Sequence, residues 1–144
     1  MNIFQSTYEA RLQDWFQLRQ SVINLPIDKQ CITIDEWWQH APLVTHHIHP
    51  HDMDNWPDPW ELLSENIYCE VARALGMCYT LLLVDENNIE MVEATDKMGE
   101  DVVLVLVDNA KYVLNYYPGT VLSNTLSEFT IKRIISINHL KNIL

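Results

Sequence analysis

The chain has 144 residues, 48% of them hydrophobic and 20% charged, the balance of a globular protein that builds a core without needing a metal or disulfide to fold. Nine Lys and Arg stand against 20 Asp and Glu, a net charge of -11, so phosphate backbones are repelled and a nucleic-acid partner is excluded. Gly76, Gly99 and Gly119 stand alone, which excludes the glycine-rich loops that cradle phosphates and leaves no cofactor expected.

The first predicted element is a helix over residues 6–23, with Ser6 or Thr7 as N-cap and Tyr8, Leu12, Trp15, Phe16, Leu18 and Val22 on its apolar stripe. Pro26 ends it. Residues 31–34 alternate as a short extended piece before Trp37 and Trp38. Pro42, Pro50, Pro57 and Pro59 then mark an irregular loop, of a length that inside a domain is usually functional or faces a partner. A central helix is expected from Pro59 to about Leu75, with Gly76 as its C-terminal stop and apolar residues on both faces. Strands follow at 78–84, at 89–95 and, most strongly, at 102–107. A turn at 108–111 leads to a hairpin partner over 112–117, and alternation through Phe129, Ile131, Arg133, Ile135 and Ile137 predicts the last strand. The whole reads as one α+β domain: an N-terminal helix over 1–25, a Trp/His/Pro-rich irregular region over 26–60, and a central buried helix packed on an antiparallel sheet over 60–144.

Three cysteines, Cys31, Cys69 and Cys78, form no CxxC pair, which argues for reduced thiols and a reducing compartment. No N-terminal stretch combines basic residues with an apolar run, and no apolar run approaches membrane-spanning length, so no membrane association is expected. The place expected for the protein is a cytoplasm, or a particle assembled in one.

Cys69 is the candidate nucleophile. With Asn66 as N-cap it would lie in the first turn of a helix, where the backbone dipole favours a thiolate. A lone helical cysteine among apolar neighbours is more often a packing residue, and packing is the first reading. The segment His46-His47-Ile48-His49-Pro50-His51-Asp52 offers imidazoles that would point to one side if extended. His47, His49, His51 and Asp52 are therefore weak metal-ligand candidates, with Pro50 interrupting the geometry and no HExxH or CxxC spacing in support. A solvated or partner-facing loop is the simpler reading. Five tryptophans are many for this length. Trp37, Trp38 and Trp56 either fill a core where regular structure is scarce or anchor a protein interface, and the interface is the sharper expectation.

Read in order, Trp56-Pro57-Asp58-Pro59-Trp60-Glu61, Tyr68-Cys69-Glu70, Gly99-Glu100-Asp101-Val102-Val103 and Tyr112-Val113-Leu114-Asn115-Tyr116 resemble the motifs of the bacterial transglutaminase-like cysteine proteinases. In that family Trp-x-x-Pro precedes a helix opening near Gly-Asp-Cys, then a strand carries Gly-His-Ala-Val-Leu and its hairpin partner Tyr-Val-Leu-Asp-Asn. The resemblance covers roughly residues 55–116 and implies a papain-like fold with Cys69 at the nucleophile position. Glu100 or Asp101 stands where the family has its histidine, and Asn115 where it has its aspartate. A carboxylate is a poor proton acceptor for a thiol, and its charge opposes thiolate formation. The resemblance thus implies a scaffold without its base. The expected function is a non-catalytic module that assembles with other proteins. The chain as a whole is similar to small proteins of tailed phages, which implies a virion component of neck, tail or baseplate. The alternatives are a cysteine hydrolase or acyltransferase using Cys69 with His47 or His49 and Asn115, and an acidic inhibitor of a host protein.

Overall fold

The computed structural model describes residues 2–44, 48–117 and 120–144. Helix α1 (Tyr8–Val22) begins as the sequence predicts, its N-cap Thr7 accepting from the Ala10 N–H. Helix α2 (Ile27–Gln39) replaces the extended piece and the first part of the irregular region. Its buried residues Gln30, Cys31, Ile34, Asp35 and Trp38 fall at helical spacing, a stripe that the β-favouring run Cys31-Ile32-Thr33-Ile34 disguises.

The expected helix from Pro59 to Leu75 is two helices. A reciprocal capping box between Asp58 and Glu61 starts α3 (Pro59–Glu65), and Asn66, in the left-handed conformation at φ 57°, ends it. Helix α4 (Glu70–Leu83) then runs straight through Gly76 and absorbs the predicted strand at 78–84. Gly76 is a contact and not a stop: a Cβ there would lie 2.6 Å from Trp38 Cη2. A helix buried all round carries no amphipathic period, so its apolar run is indistinguishable from a buried strand.

The sheet is antiparallel, in the order β4-β3-β2-β1-β5: β1 (Ile89–Thr95), β2 (Asp101–Val107), β3 (Tyr112–Tyr117), β4 (Thr120–Ser123) and β5 (Thr130–Ile135). Strands β1, β2 and β3 match the prediction. β4 adds an edge that was not predicted, and the last predicted strand stops short, giving way to helix α5 (Ile137–Ile143) with Ser136 as its cap. Met91, Val103, Val105, Leu114 and Ile135 face the main core with α4. Val92, Leu104, Leu106, Val113 and Phe129 form a second cluster on the opposite face. This is the expected α+β arrangement of a central buried helix on an antiparallel sheet. Among the described residues no helix is long and apolar enough to cross a membrane.

Candidate functional site

Cys69 is the N-cap of α4, with extended backbone and no side-chain capping bond, rather than a residue within its first turn. It is buried at 4% exposure and borders a cleft of about 330 Å³ between the start of α4, the start of β2, the middle of β1 and β5, and the segment around Pro50. Ile48, Val71, Val102 and Val103 give the cleft its apolar wall, and Glu70, Glu93, Asp101 and Lys132 its charges, with the His51 imidazole beside them.

The three positions of the implied catalytic set converge here. Asp101 borders the cleft, whereas Glu100 lies before the strand and is exposed. Val103 faces the α4 side of β2, in register with Glu93 on β1, which in turn pairs with Arg133 on β5. Asn115, at φ 68°, donates its side-chain amide to the carbonyls of Val103 at 2.9 Å and Glu70 at 3.2 Å. It thereby ties β3 to β2 and to the first residue of α4, and that amide is committed to the backbone rather than to an imidazole. Its own N–H donates to Asp35 Oδ1 at 2.9 Å, which holds the left-handed backbone from behind. Asp35 is fully buried with Oδ2 unpartnered. Desolvation pushes its carboxyl above the usual carboxylate range, opposed by the bonds from Asn115 and Gln39 and by the charge of Arg73.

Among the described residues, the hydrogen-bond contact of Cys69 Sγ is the Ile48 carbonyl, at 4.0 Å. His51 borders the same cleft, but both its ring nitrogens are engaged elsewhere: Nδ1 lies 2.7 Å from Arg133 Nη1 and Nε2 lies 3.7 Å from Glu93 Oε2. His49 Nδ1 accepts from the His51 N–H at 3.1 Å. His46 and His47 lie outside the described residues. Asp52 Oδ1 accepts from Asn55, and among the described residues no three His, Cys, Asp or Glu side chains are grouped to hold a metal. Burial pushes the Glu70 carboxyl upward, with Arg73 opposing. Burial pushes the other two thiols, Cys31 and Cys78, up to about 12, which makes them inert packing groups.

The tryptophans expected at an interface are largely core. Trp38 is fully buried, Trp56 nearly so with its N–H donated to the His49 carbonyl, and Trp37 is half-buried with its N–H on Asp14. Trp38 packs against Gly76 and Thr80 of α4, and Trp56 against His139 of α5, which corrects the interface expectation for Trp38 and Trp56. Trp60, not among those candidates, is the exposed one. Glu93 and Arg133 were not singled out either, although a charge in the middle of each apolar strand was the available signal.

No protein-family model matches the sequence, and no curated protein sequence does. The fold is similar to that of solved structures of LapG from Legionella pneumophila, a bacterial transglutaminase-like cysteine protease. One structure is 14% identical and covers 90% of this chain and 74% of that chain, with a TM-score of 0.73. The calcium-bound structure is 13% identical and covers 91% and 77%, with a TM-score of 0.74. At that identity the likeness speaks for the fold alone, and the chain has a transglutaminase-like α+β fold.

Proposed function

We propose that the chain is a non-catalytic transglutaminase-like module whose cleft at the start of α4 receives a protein partner. One observation carries the reading: Cys69 has the nucleophile's place, but Asp101 and Val103 line the wall where the base would stand, and the Asn115 amide is tied to two backbone carbonyls. A thiol without a proton acceptor of suitable basicity lacks the activation that covalent catalysis needs. The apolar wall bordered by Glu70, with the acidity of the whole chain, favours a partner segment that is apolar and basic. The finer proposal is that the module is a component of a phage particle. Mass spectrometry of purified particles tests it.

The test of the module reading is a pair of variants assayed by co-purification. Cys69→Ala should retain the partner, and Glu70→Lys, which reverses the charge at the exposed rim of the apolar wall, should lose it without unfolding the protein. The hydrolase reading keeps one favourable observation, the thiol at a helix N-cap inside a cleft. Turnover of a thioester or peptide substrate that disappears in Cys69→Ala would establish it and overturn the non-catalytic reading.

A further inference from the structure

Residues 48–56 cross the mouth of the Cys69 cleft, where Ile48, Pro50 and His51 form part of the wall. Among the described residues, the polar attachments of this segment to the rest of the fold run to β5, β1 and α5, beside the contact of the Ile48 carbonyl with Cys69 Sγ at 4.0 Å. Arg133 donates to the Pro50 carbonyl at 3.0 Å and to Met53 Sδ at 2.7 Å, and faces His51 Nδ1 at 2.7 Å. A guanidinium carries donors only, so His51 Nδ1 is the acceptor of that bond. His49 Nδ1 is likewise an acceptor, from the His51 N–H. Both bonds require an imidazole lone pair that protonation removes. His139 differs: its Nε2 faces the Met53 carbonyl at 3.1 Å and donates in either protonation state.

We propose that residues 48–56 are a proton-released cover on the Cys69 cleft, closed while His49 and His51 act as acceptors and opened by mild acidification. The balance of charge around His51 gives the direction. Protonated His51 would face Arg133 across 2.7 Å, and the His49 ring, 5.5 Å away, would add a second cation. Against this stands Glu93 on β1, 3.7 Å from His51 Nε2. It already faces Arg133 at 3.6 Å, so one carboxylate would serve two cations in contact. Lys132 on β5 and Asp101 on β2 neutralise each other at 2.6 Å. Glu70 of α4 lines the cleft, and Asp52 and Asp54 of the cover are exposed. The use of such a cover, admitting a partner in one pH range only, rests on the reading of the cleft as a binding surface. Its opening does not.

The experiment is hydrogen–deuterium exchange of residues 48–56 at about pH 7.5 and about pH 5.5, corrected for the intrinsic rate. Imidazoles titrate between about pH 5 and 8, so linkage of one or two protons predicts a loss of protection of about tenfold or more in the wild-type chain. In the His49→Asn, His51→Asn double variant, each Oδ1 can replace an Nδ1 acceptor without titrating, and protection should persist at the lower pH. Equal protection at both pH values in the wild-type chain overturns the cover whatever the variants do. So does a loss in the double variant as large as in the wild type. A cleft that captures no partner leaves this measurement untouched, so the two readings fail separately.

Discussion

Around Gly76 and Thr80, helix α4 is clasped by two indoles. The N–H groups of Trp15 and Trp38 both donate to the Thr80 hydroxyl, at 2.9 and 3.0 Å, and that hydroxyl donates to the Gly76 carbonyl. At its first residues the same helix has no side-chain cap and opens on a cleft bordered by four charged or titratable side chains of other elements and its own Glu70. One half of the helix is fixed by interlocked packing in which both indole N–H groups and the Thr80 hydroxyl are matched. The other is held by the Arg73 guanidinium on the carbonyls of Gln39 and Ala41 and by the amide of Asn115 on the Glu70 carbonyl. Interlocked packing leaves no room for a ligand or a rearrangement, whereas the charged end has both space and titratable contacts. The Cys69 end is therefore the part of this helix for which a function is proposed.

Removing the clasp tests that contrast most severely. Trp38→Ala should cost about 3 to 5 kcal/mol in chemical denaturation, because it empties a fully buried site and takes one donor from Thr80. Trp60→Ala, at a residue 42% exposed, should cost about 1 kcal/mol or less. Comparable losses for the two would remove the distinction between core and surface aromatics.

Gly76→Ala probes the same clasp from the helix side. Alanine is the better helix former, yet its Cβ would meet the Trp38 ring at 2.6 Å, so the variant should lose about 1 to 3 kcal/mol through overpacking. A gain in stability would mean that the ring shifts freely.

Asp35 connects the core to the site, and its effect depends on pH. Its folded-state titration is raised by burial, so the native state holds an extra proton in the window above the unfolded value of about 3.9. That contribution is fully present below the window and is lost as pH rises through the folded value. Asp35→Asn keeps an Oδ1 acceptor for the Asn115 N–H, so it should flatten this slope and leave stability at neutral pH within about 1 kcal/mol of wild type. Asp35→Ala orphans that N–H and should cost about 1 to 3 kcal/mol. Urea unfolding at several pH values distinguishes the two. A slope that survives Asp35→Asn would assign it to another group, with Glu70 next in line because its carboxyl is also raised.

The smallest effect is expected at Cys69 itself. Under native conditions iodoacetamide should modify Cys69, which borders the cleft, before Cys31 and Cys78, whose thiols are pushed up to about 12. Mass spectrometry of partly labelled protein gives the order. Early labelling of Cys31 or Cys78 would mean that the clasped part of the core opens more readily than the cleft.

The elements that were legible in the sequence are those whose burial is one-sided or whose ends carry their own chemistry. Helix α1 has a stripe and a threonine cap. Strands β2 and β3 bracket a turn, 108–111, in which Asp108, Asn109 and Ala110 all adopt positive φ. Helix α2 was lost because β-branched residues line a helical stripe containing a buried aspartate. The second half of α4 was lost because burial on all sides erases periodicity. The aromatic residues were ambiguous for a related reason, since core and interface both select large rings.

The sequence by itself determined the class of the fold, the order of its central helix and sheet, and the absence of histidine from the strand opposite. These follow from patterns local to a few residues. What only the tertiary structure decided was that Asp101 and Val103 line the wall beside Cys69, that Asn115 spans β2 and α4, and that Arg133 on β5 holds the segment around His51. Each of those contacts joins residues far apart in the chain, and the pairing of strands and the packing of α4 on the sheet, not local propensity, bring them within hydrogen-bond reach.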